Sequence, residues 1–195
     1  MKKIILASKS KRRSEILRQV GIPHLVVPSG VGEDHRSARH IRRIVVSNAK
    51  KKAIAVSKKK NSGIVIGVDT MVLFKGKLIG KPKNVREARK MLLEFRGRRL
   101  EVYSGLHVID SDNSKSVSGS DKTTLYVKSM PISDLEKYFK LLGPYDKAGG
   151  FSIEGVGSII FDDLRGSYFN VLGLPMHKLQ ELFRKIGLDL LDFIS

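Results

Sequence analysis

Residues 2–21 read "KKIILASKSKRRSEILRQVG", and this stretch carries the first structural decision in the chain. Ile4, Ile5 and Leu6 form a short continuous apolar run, the signature of a buried strand. Ser10 follows as a candidate helix N-cap, an amphipathic helix comes next, and Gly21 stands where it would stop. The order is therefore strand, tight connection, helix start. Backbone N–H groups at a helix start lack partners and attract anions. Arg12 and Arg13 fall in that first turn. The helix macrodipole disfavours cations there unless an anion lies between them and the helix. A basic tail for nucleic acid needs no such placement, so the stretch reads as a shaped grip for an anionic group.

Working outward, "IPHLVVPS" (22–29) reads as a second strand and "GVGEDHRS" (30–37) as a loop. A long helix is predicted at roughly 37 to 59. Its apolar stripe runs through Ile41, Val45, Ala49 and Val56, and Lys52 falls on that stripe. "GIVIGVDTMVLFKGKLIG" (63–80) is a hairpin signal with its turn at Lys75-Gly76-Lys77. A helix over 84–96 has Asn84 as its N-cap. "LEVYSGLHVID" (100–110) and "KTTLYVK" (122–128) read as strands around a turn at "SDNSKS" (111–116). "SDLEKYFKLLG" (133–143) reads as a helix with a Ser133–Glu136 capping box. "GPYDKAGGFSIEGVGSIIF" (143–161) is glycine-rich and then strand-like, "RGSYFNVLGLP" (165–175) a turn, and "PMHKLQELFRKIG" (175–187) the last clear helix. Helices and strands alternate without a repeat, so the class is α/β with a mixed sheet.

Composition bounds the function. The 195 residues suit one domain, residues 1–195, with a second lobe drawn from roughly 70 to 140 around a cleft. Lys and Arg number 37 against 19 Asp and Glu, a net charge of +18 that favours anionic partners. There is no Cys, which excludes disulfides, thiolate metal sites and a Cys nucleophile. The apolar run at the start is too short for a signal peptide, and none approaches the roughly 20 residues of a membrane span. A soluble cytoplasmic protein is expected, with no membrane partner.

Individual residues leave alternatives open. Asp69 ends an apolar strand, where an acid can be a metal ligand, a general base or a hydrogen-bonded turn residue. Glu33 and Asp34 sit in a Gly-bounded loop and suit a hard cation such as Mg²⁺ or a solvated surface. Lys52 needs an anionic partner or must snorkel to the rim. Lys81, fixed by Pro82, is a phosphate ligand or a solvated loop residue. The glycines of "DKAGG" (146–150) let backbone approach a ligand. No metal-binding His spacing, Walker loop, GxGxxG or G-x-S-x-G elbow is present, so Ser8 and Ser10 are not read as hydrolase nucleophiles.

Taken in order, these pieces resemble one family. "LASKSKRRSEIL" (6–17) is similar to the opening motif LAS-x-S-P-R-R-x-E-L-L of the Maf nucleoside triphosphate pyrophosphatases. "GEDH" (32–35), "NAKKKA" (48–53), "GVDT" (67–70), "IGKP" (79–82), "EVYSG" (101–105), "DKAGGFSIEG" (146–155) and "GSYFNVLGLP" (166–175) follow at the family's positions. The resemblance implies an elongated mixed β-sheet flanked by helices with a central cleft, similar to inosine triphosphate pyrophosphatases. It implies hydrolysis of a nucleoside triphosphate to the monophosphate and pyrophosphate with a divalent metal, Mg²⁺ or Mn²⁺. Asp69 would accept the proton; Glu33 and Asp69 would hold the metal; Ser8, Arg13, Lys52 and Lys81 would grip the phosphates. A homodimer is a family-level expectation.

Base choice would rest on Arg12, Thr70, Glu154 and Lys147. Arg12, Thr70 and the "DKAG" stretch resemble the dTTP/UTP branch, whose third position is Gln. Glu154 departs from it toward the 7-methyl-GTP branch, which keeps that alternative, or a broader specificity, open. Lys11 in place of Pro and Leu100 in place of His are smaller departures. Two rivals lie outside enzymology. A nucleic-acid-binding protein would use the +18 charge, but 7% aromatics, no Trp and no binding motif argue against it. A cell-division regulator would act through a protein partner.

Overall fold

The computed structural model describes residues 2–34, 38–141 and 147–195. Within these the chain is α/β, with seven strands in one mixed sheet flanked by helices. Strand β1 (Ile4–Ala7) is fully buried and leads into α1 (Lys11–Gln19). Ser10 caps α1 by accepting from the N–H of Arg13. Strand β2 (His24–Val26) is shorter than the sequence suggested and pairs in parallel at the sheet edge with β1. Helix α2 (Ile41–Ser57) starts later than expected, and Ser37, the expected start, lies outside the described residues.

Strand β3 (Ile64–Phe74) is central: parallel to β1 on one side, antiparallel to β5 (Arg99–Asp110) on the other. Its far end turns through Lys75 and Gly76 into β4 (Lys77–Ile79). Both turn residues have positive φ, 48° and 75°, the geometry of a type I′ hairpin. Helix α3 (Val85–Phe95) is capped by Asn84, as the sequence predicts. Strand β6 (Lys115–Val127) pairs with β5 along its whole length and with β7 (Phe161–Arg165) at its end. It begins seven residues before the predicted strand. Its first half is rich in Ser and Gly, which propensity disfavours, but twelve-residue pairing with β5 overrides that.

Three further expectations change. Helix α4 (Ile132–Leu141) begins before Ser133, with the Pro131 carbonyl accepting the first helical bond from Leu135. Ser133 is therefore inside the helix, and Glu136 reaches Arg89 on α3 instead of closing a capping box. The segment 148–160, expected as strand in its later part, holds two 3-10 turns, Ala148–Gly150 and Gly155–Ile160. Positive φ at Gly149, Gly150 and Gly155 breaks the extended path. Within the predicted turn at 165–175 lies a short helix, α5 (Tyr168–Leu172), capped by Ser167 and ended by a left-handed Gly173. Helix α6 (Met176–Lys185) closes the fold as predicted, followed by a 3-10 turn at Leu190–Phe193. No helix among the described residues is long and apolar enough to cross a membrane.

Two glycines set the sheet-to-helix distance that builds the site. A Cβ at Gly67 would lie 2.1 Å from the Ala49 carbonyl oxygen, and one at Gly105 would lie 2.2 Å from the Val45 carbonyl carbon. Only glycine lets α2 lie backbone-down on β3 and β5. The opposite face carries the larger core, which includes edge-to-face contacts of Phe95 with Phe74 and Phe151.

On the α2 face, His107 of β5 is buried, with Nδ1 2.7 Å from the Ser118 hydroxyl. Burial first, and the Lys50 cation second, push its pKa down to about 4 from 6.5. The unfolded chain therefore takes up a proton between pH 6.5 and 4 that the folded chain refuses. Stability from this group is present above pH 6.5 and is lost as pH falls toward 4. The melting temperature should drop more between pH 7 and pH 4.5 in the parent than in His107→Gln. Equal drops in paired thermal melts would rule this source out.

Candidate active site

Because α2 lies so close to the sheet, two of its inward side chains straddle the middle of β3. Lys52 is buried and donates to Asp69 Oδ1 at 2.8 Å and to the Val68 carbonyl at 3.1 Å. Asn48, one turn earlier, donates to Asp69 Oδ2 at 3.0 Å. Asn48 also bonds the backbone of Asp34 in both directions, at 2.9 and 3.0 Å, which ties the acidic loop to the helix. Glu33 of that loop brings Oε1 to 2.6 Å from the same Lys52 ammonium. One cation thus lies between two carboxylates from segments 36 residues apart. Asp69 and Lys52 are both buried, and each supplies the opposite charge that burial of the other requires.

The opening helix contributes a second cluster. Arg13 donates through Nε to Gly173 O (2.9 Å), through Nη1 to Ser8 Oγ (3.0 Å) and Val68 O (3.1 Å), and through Nη2 to Thr70 Oγ1 (3.0 Å). Burial pushes its guanidinium below the ordinary value, while Asp69 and then Glu33 pull it back up. Thr70 also meets Ser104 Oγ at 2.8 Å. Ser8 accepts from the Ser10 N–H as well, which folds the β1–α1 connection around it. The strand, the tight connection and the helix start are placed as the sequence predicts, and the Arg13 guanidinium is directed at protein acceptors.

These groups floor a cleft of about 770 Å³. Among the described residues lining it are seven cations, Lys9, Lys11, Arg12, Arg13, Lys52, Lys81 and Lys147, against two carboxylates, Glu33 and Asp69. That imbalance suits a polyanion with a metal ion. A recess of about 190 Å³ shares Arg12, Thr70, Lys81 and Lys147 with the cleft and adds an apolar wall that includes Val72, Phe151 and Ile153. Lys147 bonds Ser152 Oγ at 3.3 Å. At this end Arg12 pairs with Glu154 at 3.0 Å. Burial, and then Glu154, hold the nearby Tyr168 phenol above its ordinary value, against the pull of Arg12.

All of Ser8, Arg12, Arg13, Glu33, Lys52, Asp69, Thr70, Lys81 and Lys147 therefore line one cleft, and Glu154 joins it through Arg12. Asp146 lies outside the described residues. Asn48, Ser104 and Tyr168 were not singled out from the sequence. Asn48 had a signal: it precedes Lys52 by one turn on the same buried stripe. Glu33 and Asp69 fit a hard divalent ion, because both already direct carboxylate oxygens at one cation. Among the described residues no group of three or more His, Cys, Asp or Glu is placed to hold a metal ion.

Comparison with known proteins agrees with this architecture. The chain is 38% identical over 193 residues to a dTTP/UTP pyrophosphatase of Methanosarcina barkeri, covering 98% of each chain. It is 40% identical over 184 residues to a dTTP/UTP pyrophosphatase of a Thermoanaerobacter species, covering 94% of this chain and 96% of the relative. It is 37% identical over 191 residues to another of Dictyoglomus turgidum, covering 97% and 99%. The family model described as Maf-like protein matches residues 3–186, from the first buried strand to the end of α6, and the chain belongs to that family.

Proposed function

We propose that the chain hydrolyses a nucleoside triphosphate, with dTTP and UTP preferred, to the monophosphate and pyrophosphate. The observation that carries this is the Lys52 ammonium held between Asp69 and Glu33 at the floor of a cationic cleft. The names of the relatives support the substrate class.

The triphosphate lies along the cleft, where Ser8, Lys52 and Lys81 neutralise and orient it. Attack on phosphorus needs little covalent chemistry from the protein; it needs position and charge neutralisation. Asp69 receives the proton of a water whose oxygen attacks the α-phosphorus. The bond from that phosphorus to its bridging oxygen breaks, and pyrophosphate leaves with the electron pair. Glu33 and Asp69 hold a divalent ion, Mg²⁺ or Mn²⁺, which when bound lowers the pKa of water and screens phosphate charge. Lys52, which pairs with both carboxylates, supplies a fixed positive charge at the floor of the cleft and would face the phosphates from there. Arg13 acts behind this surface, by fixing Ser8 and Thr70.

The base enters the apolar recess. Arg12 donates to a base carbonyl, while Glu154, which can only accept when ionised, takes a ring N–H. Uracil and thymine present that pattern at O4 and N3; cytosine inverts it. Glu154→Gln adds an amide donor, so it should keep dTTP and UTP turnover and raise the relative kcat/KM for CTP by about tenfold, a difference of ~1.4 kcal/mol. Unchanged discrimination would remove Glu154 from base reading.

The decisive experiment scores pyrophosphate release from dTTP, UTP, CTP, GTP, ITP and 7-methyl-GTP with Mg²⁺ or Mn²⁺. Preference for dTTP or UTP is expected. Absence of turnover on every nucleotide would overturn the reading.

A further inference from the structure

A second concavity, of about 540 Å³, lies beyond the β3–β4 hairpin and shares no lining residue with the cleft. Its floor is apolar: Phe74 is packed edge-on against Phe95, and Ile79 and Leu93 are half-buried. Its rim is basic. Lys75 and Lys77 come from the hairpin, Arg96 from the end of α3, and Arg98 from the turn into β5. None of these four forms an ion pair with a carboxylate among the described residues. Glu94 is the one acid on the rim, and it neutralises none of them by contact. Only Arg96 stands at a helix C-terminus, where the macrodipole would account for a cation. The other three come from strand and turn segments.

Lys75 adds an independent observation. It occupies the first central position of a type I′ turn with φ 48°, a place normally taken by Asn, Asp or Gly. A long side chain there is strained, and strain of this kind collects at binding sites. The turn sets the Lys75 ammonium 5.3 Å from the centroid of the Phe74 ring. Four like charges around one hollow repel one another and raise its potential toward anions. An inorganic anion would leave Ile79 and Leu93 wet. A nucleoside phosphate would cover that floor with its base and sugar and meet the rim with its phosphates.

We propose that this concavity is a second, non-catalytic nucleotide site, taking a nucleoside phosphate between the β3–β4 hairpin and the end of α3. Strand β4 connects it to the cleft. Lys77 and Ile79 line the hollow, Gly80 accepts a bond from the Gly149 N–H at 2.9 Å, and Lys81 then lines the cleft. A nucleotide bound here touches the strand that runs, through Gly80, into the segment carrying a cleft cation.

The test is equilibrium dialysis with α,β-imido-dUTP, which resists hydrolysis at the α-phosphorus. The intact chain should bind two molecules per chain. The double substitution Lys77→Glu with Arg98→Glu should bind one, with the lost site weakened at least tenfold. Both positions are exposed, and a circular dichroism melt checks the fold. Lys77→Gln with Arg98→Gln serves if charge reversal unfolds the chain. One molecule or none per chain in the parent overturns the proposal. So do two per chain in a folded variant.

Discussion

Asp69→Asn yields a folded protein whose pyrophosphate release falls by about 10²- to 10⁴-fold, the span expected for removing a general base. The substitution keeps the shape of the side chain and removes its ability to take a proton. Lys52 retains Glu33 and the Val68 carbonyl as partners, so no buried cation is stranded. The new amide oxygen can accept from Asn48 or from Lys52 but not from both, so the substitution costs one of these two hydrogen bonds. The measurement is a turnover assay beside a thermal melt of the same preparation. A near-parental rate with intact folding would place the base elsewhere. A lost fold would mean that the Asp69 carboxylate is a structural counter-ion before it is anything else.

Arg13→Ala acts mainly on stability. Four of the five N–H donors of Arg13 are engaged by protein acceptors on the β1–α1 connection, β3 and the α5–α6 connection. Truncation leaves a void, weakens the satisfaction of buried carbonyls at Val68 and Gly173, and frees Ser8 and Thr70. The expected cost is ~3 kcal/mol, from unmet buried acceptors and lost packing together. For a chain of this size that corresponds to a melting temperature lower by about 6–12 °C. Arg13→Lys should recover only part, because a point charge cannot span acceptors that lie in several directions. A drop below about 2 °C in differential scanning calorimetry, with a raised KM instead, would restore the phosphate-gripping role that the opening motif implies.

The contrast between these two residues shows which features were legible in the sequence. The strand, the Ser10 cap and the helix of the opening were readable because each is a local event within a few residues. Asp69 stands out because it ends the apolar run IVIGVD, although β3 continues through it to Phe74, and Lys52 because it interrupts an apolar helical stripe. Neither observation says that the two interrupt the same place. Asn48 passed unnoticed, since a buried Asn declares itself only through its partners. The sequence of the short α5 reads as a turn because little more than one helical turn leaves no periodicity to count. The capping box at Ser133 failed because Ser-x-x-Glu can occur just inside a helix as well as at its start.

By itself the sequence determined the class of the fold, the order of its main strands and helices, the family, and the identity of the charged residues that need a reason. Those properties follow from spacing, capping and periodicity, which act along the chain. The tertiary structure alone decided what each charge does. Gly67 and Gly105 admit α2 against the sheet, and that approach brings Lys52 to Asp69 and to Glu33. Arg13 became a clamp because Gly173, 160 residues away, presents a carbonyl to it. Arg12 found Glu154 across the mouth of the recess. Ion pairs and buried hydrogen bonds fall off within a few ångströms, so their partners are set by distance in space, which the order of residues does not contain.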